Sequence, residues 1–175
     1  MAGNKEQGMA SLDIVIMAAG KGTRMKSARP KVLLPLAGKS LLHHVLDAVA
    51  GLGAAKTLVI TGHEAPTLEA QFGAQGLTFV RQQPQLGTGH AVQQAVPQLD
   101  SEGTTLILNG DVPLIEPATA AALVAVSGGT RLALLTVELS DATGYGRIVR
   151  DGAAVRAIVE ERDASEAQRA IREVY

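Results

Sequence analysis

The chain has 175 residues, with 16 Lys and Arg against 17 Asp and Glu and a net charge of −1 at neutral pH, so it carries no basic field for a nucleic-acid polymer. Two Phe, two Tyr and no Trp leave little to stack on single-stranded bases, and the lack of cysteine removes disulfides, thiolate metal sites and cysteine nucleophiles together. The length suits one domain with a real core, no apolar run is long enough for a membrane span, and no signal-peptide layout opens the chain, so a cytoplasmic protein is expected.

Residues 1–10 read as a leader- or tag-like segment, with Met9 a candidate natural start, and residues 11–175 as the domain proper. The apolar run Leu12-Asp13-Ile14-Val15-Ile16 predicts a buried parallel strand. It opens into Met17-Ala18-Ala19-Gly20-Lys21-Gly22-Thr23-Arg24-Met25, followed by Arg29-Pro30-Lys31. Gly20 and Gly22 allow backbone N–H groups to approach an anion, and Lys21, Arg24 and Lys31 supply countercharge, so the loop points to phosphate binding. Three common phosphate motifs fail here. The dinucleotide fingerprint lacks its third glycine at Met25, a Walker A loop ending at Gly38-Lys39-Ser40 would need its first glycine at Leu33, and no kinase-type strand follows. A Gly-x-Gly after a strand is more often a plain turn; Thr-Arg-Met and Pro-Lys raise this one above that.

Ser40 is the predicted N-cap of a helix carrying Leu41, Leu42, Val45, Leu46, Val49 and Leu52, which Gly51 and Gly53 end. Strands are predicted at 57–61, 77–80 and 104–108, with helices through Leu68 and Phe72, from about Thr88 to Pro97, and from Pro117. Arg131 to Leu139 read as a further strand. Arg147 to Arg150 and Val155 to Val159, joined at Asp151-Gly152, read as a β-hairpin. Asp163, with Glu166 three residues on, predicts a last helix carrying Ala167, Ala170, Ile171 and Val174. Alternating strands and helices imply an α/β fold: a mostly parallel sheet with helices on both faces, plus the hairpin. Ligands of such sheets bind at the carboxyl ends of the strands, where the glycine loop, Asn109-Gly110-Asp111 and the loop before Gly146 all fall.

Asp111, ending a hydrophobic strand, is a candidate Mg²⁺ ligand or simply the start of a turn before Pro113; the neighbouring phosphate loop favours the metal. Gln82 offers a donor and an acceptor to a base edge, and Gly87 a close backbone approach; equally, the segment is a flexible loop with Thr88 as an N-cap. His43-His44 and His63-Glu64 make poor metal motifs, and His90 reads as structural.

Met17 to Met25 with Pro30-Lys31 resembles the signature of the sugar-nucleotide pyrophosphorylases. Gln85 to Ala91, Asn109 to Leu114, Thr143 to Ile148 and Ile158 to Glu160 resemble the uridylyltransferase domain of the bacterial bifunctional N-acetylglucosamine-1-phosphate uridyltransferase / glucosamine-1-phosphate acetyltransferases. The resemblance covers the chain from about Ser11 onward. It implies a Rossmann-like fold of the nucleotide-diphospho-sugar transferase type and transfer of UMP from UTP to N-acetylglucosamine 1-phosphate, a cell-wall precursor step. By the same resemblance Arg24 and Lys31 are catalytic, on the UTP phosphates. Met17, Ala18, Ala19, Gly20, Gln82, Gly87, Thr88, Asn109, Gly110 and Asp111 bind the nucleotide, and Gly146, Glu160 and Tyr175 the sugar. Asp111 holds Mg²⁺, and the full-length enzymes are homo-oligomers, trimers. The family's second metal-ligating asparagine has no counterpart, Tyr175 stands where the family has a sugar-contacting asparagine, and Asn109 where relatives often carry tyrosine. No hexapeptide repeats for an acetyltransferase β-helix occur, so a C-terminally incomplete domain without that activity is expected. Other transferases of the superfamily, or a non-catalytic UTP-binding module, are the alternatives.

Overall fold

The computed structural model describes residues 11–20, 29–63 and 65–175. Lys21, Gly22, Thr23, Arg24 and Met25 therefore lie outside the described residues, as do residues 1–10. The chain divides into two compact units, Met1–Arg131 and Leu132–Tyr175.

In the first unit, β1 (Leu12–Met17) is flanked by parallel neighbours on both sides. β4 (Lys56–Thr61) pairs on one side, with Ile14 opposite Thr57, and carries β5 (Thr78–Arg81) at its far edge. β6 (Thr104–Asn109) pairs on the other side, with Met17 opposite Asn109. The resulting order is β5-β4-β1-β6. A short hairpin of β2 (Pro35–Leu36) and β3 (Lys39–Ser40) stands apart and leads into α1 (Leu41–Val49). As the spacing predicts, Ser40 caps α1, its hydroxyl accepting the His43 N–H.

Strand side chains alternate between two cores. Ile14, Ile16 and Val59 meet Leu42, Val45, Leu68 and Phe72 from α1 and α2 (Ala65–Phe72), and Ala120 from α4 (Pro117–Ser127). Val15, Leu58, Ile60 and Val80 meet Ala91 and Ala95 of α3 (Thr88–Ala95) on the opposite face. Both faces being covered explains why the strands read as continuous apolar runs. Pro117 takes the first turn of α4, and left-handed Gly128 closes it, donating its N–H to Val124. Asp13 is the polar exception inside β1. It is 1% exposed, accepts the Asp100 N–H at 2.8 Å and lies 3.9 Å from the Lys56 ammonium. It pins the amino end of the strand, opposite the end at which ligands bind.

The second unit is antiparallel, in the order β7-β10-β8-β9. The predicted hairpin is present as β8 (Arg147–Asp151) and β9 (Ala154–Val159). Two expectations are corrected here. The strand expected over 131–139 shortens to β7 (Val137–Glu138), because its partner β10 (Glu173–Val174) is only two residues long and Leu132, 84% exposed, packs against nothing. The last helix starts two residues later than expected and is one turn long, α5 (Glu166–Arg169). Ser165, not Asp163, forms the capping box with Gln168, and buried Val174 joins the sheet instead of extending the helix. Tertiary burial outweighs the helical spacing of Ala167, Ala170 and Ile171.

Glu173 on β10 accepts two hydrogen bonds from Arg150 and one from the Thr136 hydroxyl. The Arg150 guanidinium, then the hydroxyl, lower its carboxyl from 4.5 to about 2. A depressed carboxylate adds stability that is fully present above pH 4.5 and disappears as pH falls toward about 2. A carboxyl titration followed by NMR is expected to show this midpoint, and Arg150→Gln to return it toward 4.5; a midpoint already at 4.5 in the unaltered chain contradicts the pairing.

Candidate functional site

The strand order reverses between β4-β5 and β6, so the crevice at the carboxyl ends of β1 and β6 is the topological switch point, where open α/β sheets bind ligands. A cleft of about 320 Å³ lies there. Its floor is Met17, Ala19 and Gly20 leaving β1; one wall is Asn109 and Asp111 leaving β6, and the other comes from Gln82, Gly87 and Thr88 around the start of α3. The described start of the glycine loop, Asn109 with Asp111, and the Gln82–Thr88 segment thus share one cleft, while the loop before Gly146 belongs to the second unit.

Lys31 opens a 3-10 turn, Lys31–Leu33, whose other two residues are buried. Core packing of Val32 and Leu33 thus fixes the turn and leaves Lys31 to the cleft. Its ammonium donates to Asp111 Oδ2 at 2.6 Å, with the two side chains 37% and 33% exposed. Asp111 itself lies in the turn closed by the Val112 N–H on the Asn109 carbonyl at 3.3 Å, so the turn expected there and the carboxylate facing the cleft coexist.

Gly110 connects the two strand ends. Its N–H donates to the Met17 carbonyl at 2.9 Å. A Cβ at this position would stand 3.1 Å from that oxygen and 3.3 Å from Ile16 Cγ2 and Val32 Cγ1, so a side chain here would push the β6 loop and its neighbours apart by a few tenths of an ångström. Gly110 and Ala18 do not line the cleft. Ala18 is buried and gives its N–H to the Ile60 carbonyl at 2.8 Å.

Gln82 is 5% exposed, and its amide nitrogen donates to the Gly87 carbonyl at 2.9 Å and lies 3.1 Å from His90 Nδ1. The amide nitrogen is thus turned toward Gly87 and His90, and the expected base-reading role would fall to the carbonyl oxygen or follow a reorientation of the amide. Gly87 is the N-cap of α3 at φ 103°, a conformation that favours glycine, so Thr88 is the first helical residue and not the cap. Sequence reasoning missed Gln85, which lines the cleft and donates to the Ala19 carbonyl, bracing the glycine loop. The signal was available in Gln82-Gln83-Pro84-Gln85, where only the first glutamine received a role.

In the second unit, Gly146, Glu160 and Tyr175 are brought together. The Tyr175 hydroxyl donates to Glu160 Oε1 at 2.8 Å, and the Tyr175 ring occupies the space a Cβ on Gly146 would take. The hydrogen bond to Glu160, burial and the carboxylate charge raise the Tyr175 phenol above its ordinary value.

Among the described residues no three His, Asp or Glu side chains cluster to hold a metal. Asp111 is the carboxylate that could bind one at the cleft, and a single carboxylate suits Mg²⁺, which keeps waters and takes its other oxygens from phosphates. The cleft thus brings together a lysine, one carboxylate, the backbone leaving β1 and the N-terminus of α3.

Sheet order and switch-point cleft define an α/β domain of the kind that binds ligands at the carboxyl ends of its strands. The chain belongs to the MobA-like NTP transferase domain family, whose profile matches residues 14–174. The bifunctional protein GlmU of Methylibium petroleiphilum is 66% identical over an alignment of 172 positions that covers 94% of this chain and 37% of that protein. The bifunctional protein GlmU of Acidovorax sp. is 59% identical over an alignment of 175 positions that covers 95% of this chain and 37% of that protein. The chain thus spans little more than a third of the length of these relatives. The crystal structure of UDP-glucose pyrophosphorylase complexed with UDP-glucose shares the fold, with a TM-score of 0.75 at 17% identity over 94% of this chain and 73% of that one.

Gly110→Ala is expected to lower stability by about 1–3 kcal/mol, the usual range for overpacking a close-packed site. The same change should weaken nucleotide binding, because it pushes Asp111 away from β1. Urea melts and nucleotide titrations of the variant check both, and an unchanged melt contradicts the close approach.

Proposed function

We propose that this chain binds UTP in the switch-point cleft and transfers UMP to N-acetylglucosamine 1-phosphate, releasing pyrophosphate. The observation that carries the reading is the pairing of Lys31 with Asp111 across the junction of β1 and β6, a cation and a metal-type carboxylate side by side in a cleft walled by backbone. The similarity to the bifunctional GlmU proteins and the motifs around Gln85, Asn109 and Tyr145 support the choice of substrates.

In this reading a phosphate oxygen of the sugar phosphate attacks the α-phosphorus of UTP in line. The bond from that phosphorus to the pyrophosphate oxygen breaks, and pyrophosphate leaves with the bonding pair. The attacking oxygen is already ionised near neutral pH, so the protein has to supply position and countercharge more than a base. Lys31 turns from Asp111 to the phosphates, and Arg24, outside the described residues, is assigned to the same charge. Met17, Ala19 and Gly20 hold the nucleotide through the backbone, with Ala18 behind them, and Asn109 and Gly110 border the ribose. Gln82 is assigned to the base edge, which its amide can read through either its oxygen or its nitrogen. Gly87 and Thr88 complete the base side. Asp111 would hold Mg²⁺, which when bound offsets the phosphate charge. Gly146, Glu160 and Tyr175 are assigned to the acetamido sugar.

A cytoplasmic role in cell-wall precursor synthesis goes with these substrates. Self-association is proposed as well, since β6 is a sheet edge among the described residues with Ile107, Val112 and Leu114 exposed around it. Sedimentation at rising concentration reads this directly, and a constant monomer mass contradicts it.

Pyrophosphate release with UTP and N-acetylglucosamine 1-phosphate tests the transfer; release with CTP or GTP at equal rates contradicts the base assignment. Asp111→Asn should weaken UTP binding about tenfold or more in the presence of Mg²⁺, and much less without it. Equal losses under both conditions argue against the metal role. Gln82→Ala should reduce the preference for UTP over CTP, and an unchanged affinity ratio removes Gln82 from base reading.

A further inference from the structure

Of the sugar-side motif residues that have no role so far, one is the largest fully buried side chain among the described residues. Arg147, the first residue of β8, has its side chain 2% exposed. Nη1 donates to the Tyr145 carbonyl, and Nη2 donates to the Arg169 carbonyl at 3.4 Å and pairs with Glu161 Oε2 at 2.6 Å. Nε has no hydrogen-bond partner among the described residues. The same Glu161 oxygen accepts the Gly144 N–H at 3.3 Å, and Arg169 approaches the other oxygen at 3.8 Å.

Burying a guanidinium is unfavourable unless its partners are fixed, and an apolar residue of similar volume would often hold such a core at least as well. What the guanidinium adds is direction. Its planar fork bonds the loop before Gly146 on one edge and the residue after Glu160 on the other, geometry that a lysine does not reproduce. The arginine–glutamate pair thus ties together the two backbone segments that carry Gly146 and Glu160, while Tyr175 bonds Glu160 from outside. Glu161 is held well below the usual carboxylate range, first by the Arg147 hydrogen bond, so the pair stays charged through the neutral range.

We propose that Arg147 and Glu161 are positioning residues for the sugar-phosphate acceptor: they set the Gly144–Gly146 loop against Glu160 and so govern acceptor affinity without contributing to nucleotide binding. This inference rests on the assignment of Gly146 and Glu160 to the sugar.

The test is calorimetry on this chain and its R147K, E161Q and doubly substituted variants. UTP with Mg²⁺ is titrated first, then N-acetylglucosamine 1-phosphate in the presence of the α,β-methylene analogue of UTP, which cannot turn over. Acceptor affinity should fall about tenfold in each single variant and no further in the double, since both act through one contact, while UTP affinity stays within about twofold. In NMR spectra of the ligand-free chain, the Gly144 and Gly146 amide signals should move in both single variants and that of Gly87 should not. E161Q guards against misfolding of R147K, because Glu161 is the more exposed partner. Parallel losses of UTP and acceptor affinity, or unchanged acceptor affinity in folded variants, overturn the proposal. A parent chain that binds UTP but no acceptor overturns the sugar-side assignment, and this inference with it.

Discussion

The hydrogen bond from the Gly110 N–H to the Met17 carbonyl is the contact on which the site depends. It closes the seam between central β1 and edge strand β6, whose following segments leave in different directions. Because those segments part there, the sheet has a crevice instead of a continuous rim, and the cleft is the consequence. A side chain at position 110 would meet backbone and core atoms at 3.1–3.3 Å, so glycine keeps the seam at its tightest. Asp111 and Lys31 then fall within reach of each other because one follows the seam and the other follows a buried turn.

The strength of that ion pair suits a binding site better than a structural strut. Both side chains are about a third exposed, and partly solvated pairs of this kind contribute roughly 0–1 kcal/mol. A polyphosphate, with more charge and more acceptor oxygens than one carboxylate, can take Lys31 from Asp111 at little energetic cost, leaving the carboxylate for a cation. The Arg147–Glu161 pair is the reverse case on its arginine side: Arg147 is 2% exposed and held from several directions, although Glu161 is as open as Asp111. The two pairs illustrate how burial of the cation separates an exchangeable contact from a fixed one.

Much of this was legible from residues alone. The runs at Leu12, Thr57 and Thr104 read as buried parallel strands because both sheet faces are covered, and Ser40 announced α1 through local capping chemistry. Part of the cleft lining was legible too, because the residues following β1 and β6 had to fall at the carboxyl end of a parallel sheet. Gln82 was half legible: its type was visible, but the engagement of its amide by Gly87 and His90 depends on a fold back over five to eight residues. Where the reading failed, the deciding force was not local. Residues 131–136 have strand-like composition but no partner of matching length, and Val174 has helical spacing but a buried place between β7 and β8. Arg147 resembled any strand arginine until its neighbours were known.

The measurement that tests the central claim most directly is a thermal-shift titration of this chain with UTP, CTP, GTP and dTTP, each with and without Mg²⁺. A ligand at a hundred times its dissociation constant adds about 2.7 kcal/mol to a folded, binding-competent protein. The account predicts a cooperative melt that UTP with Mg²⁺ raises more than any other combination. A cooperative melt that no nucleotide shifts, or that all four shift alike, would contradict it.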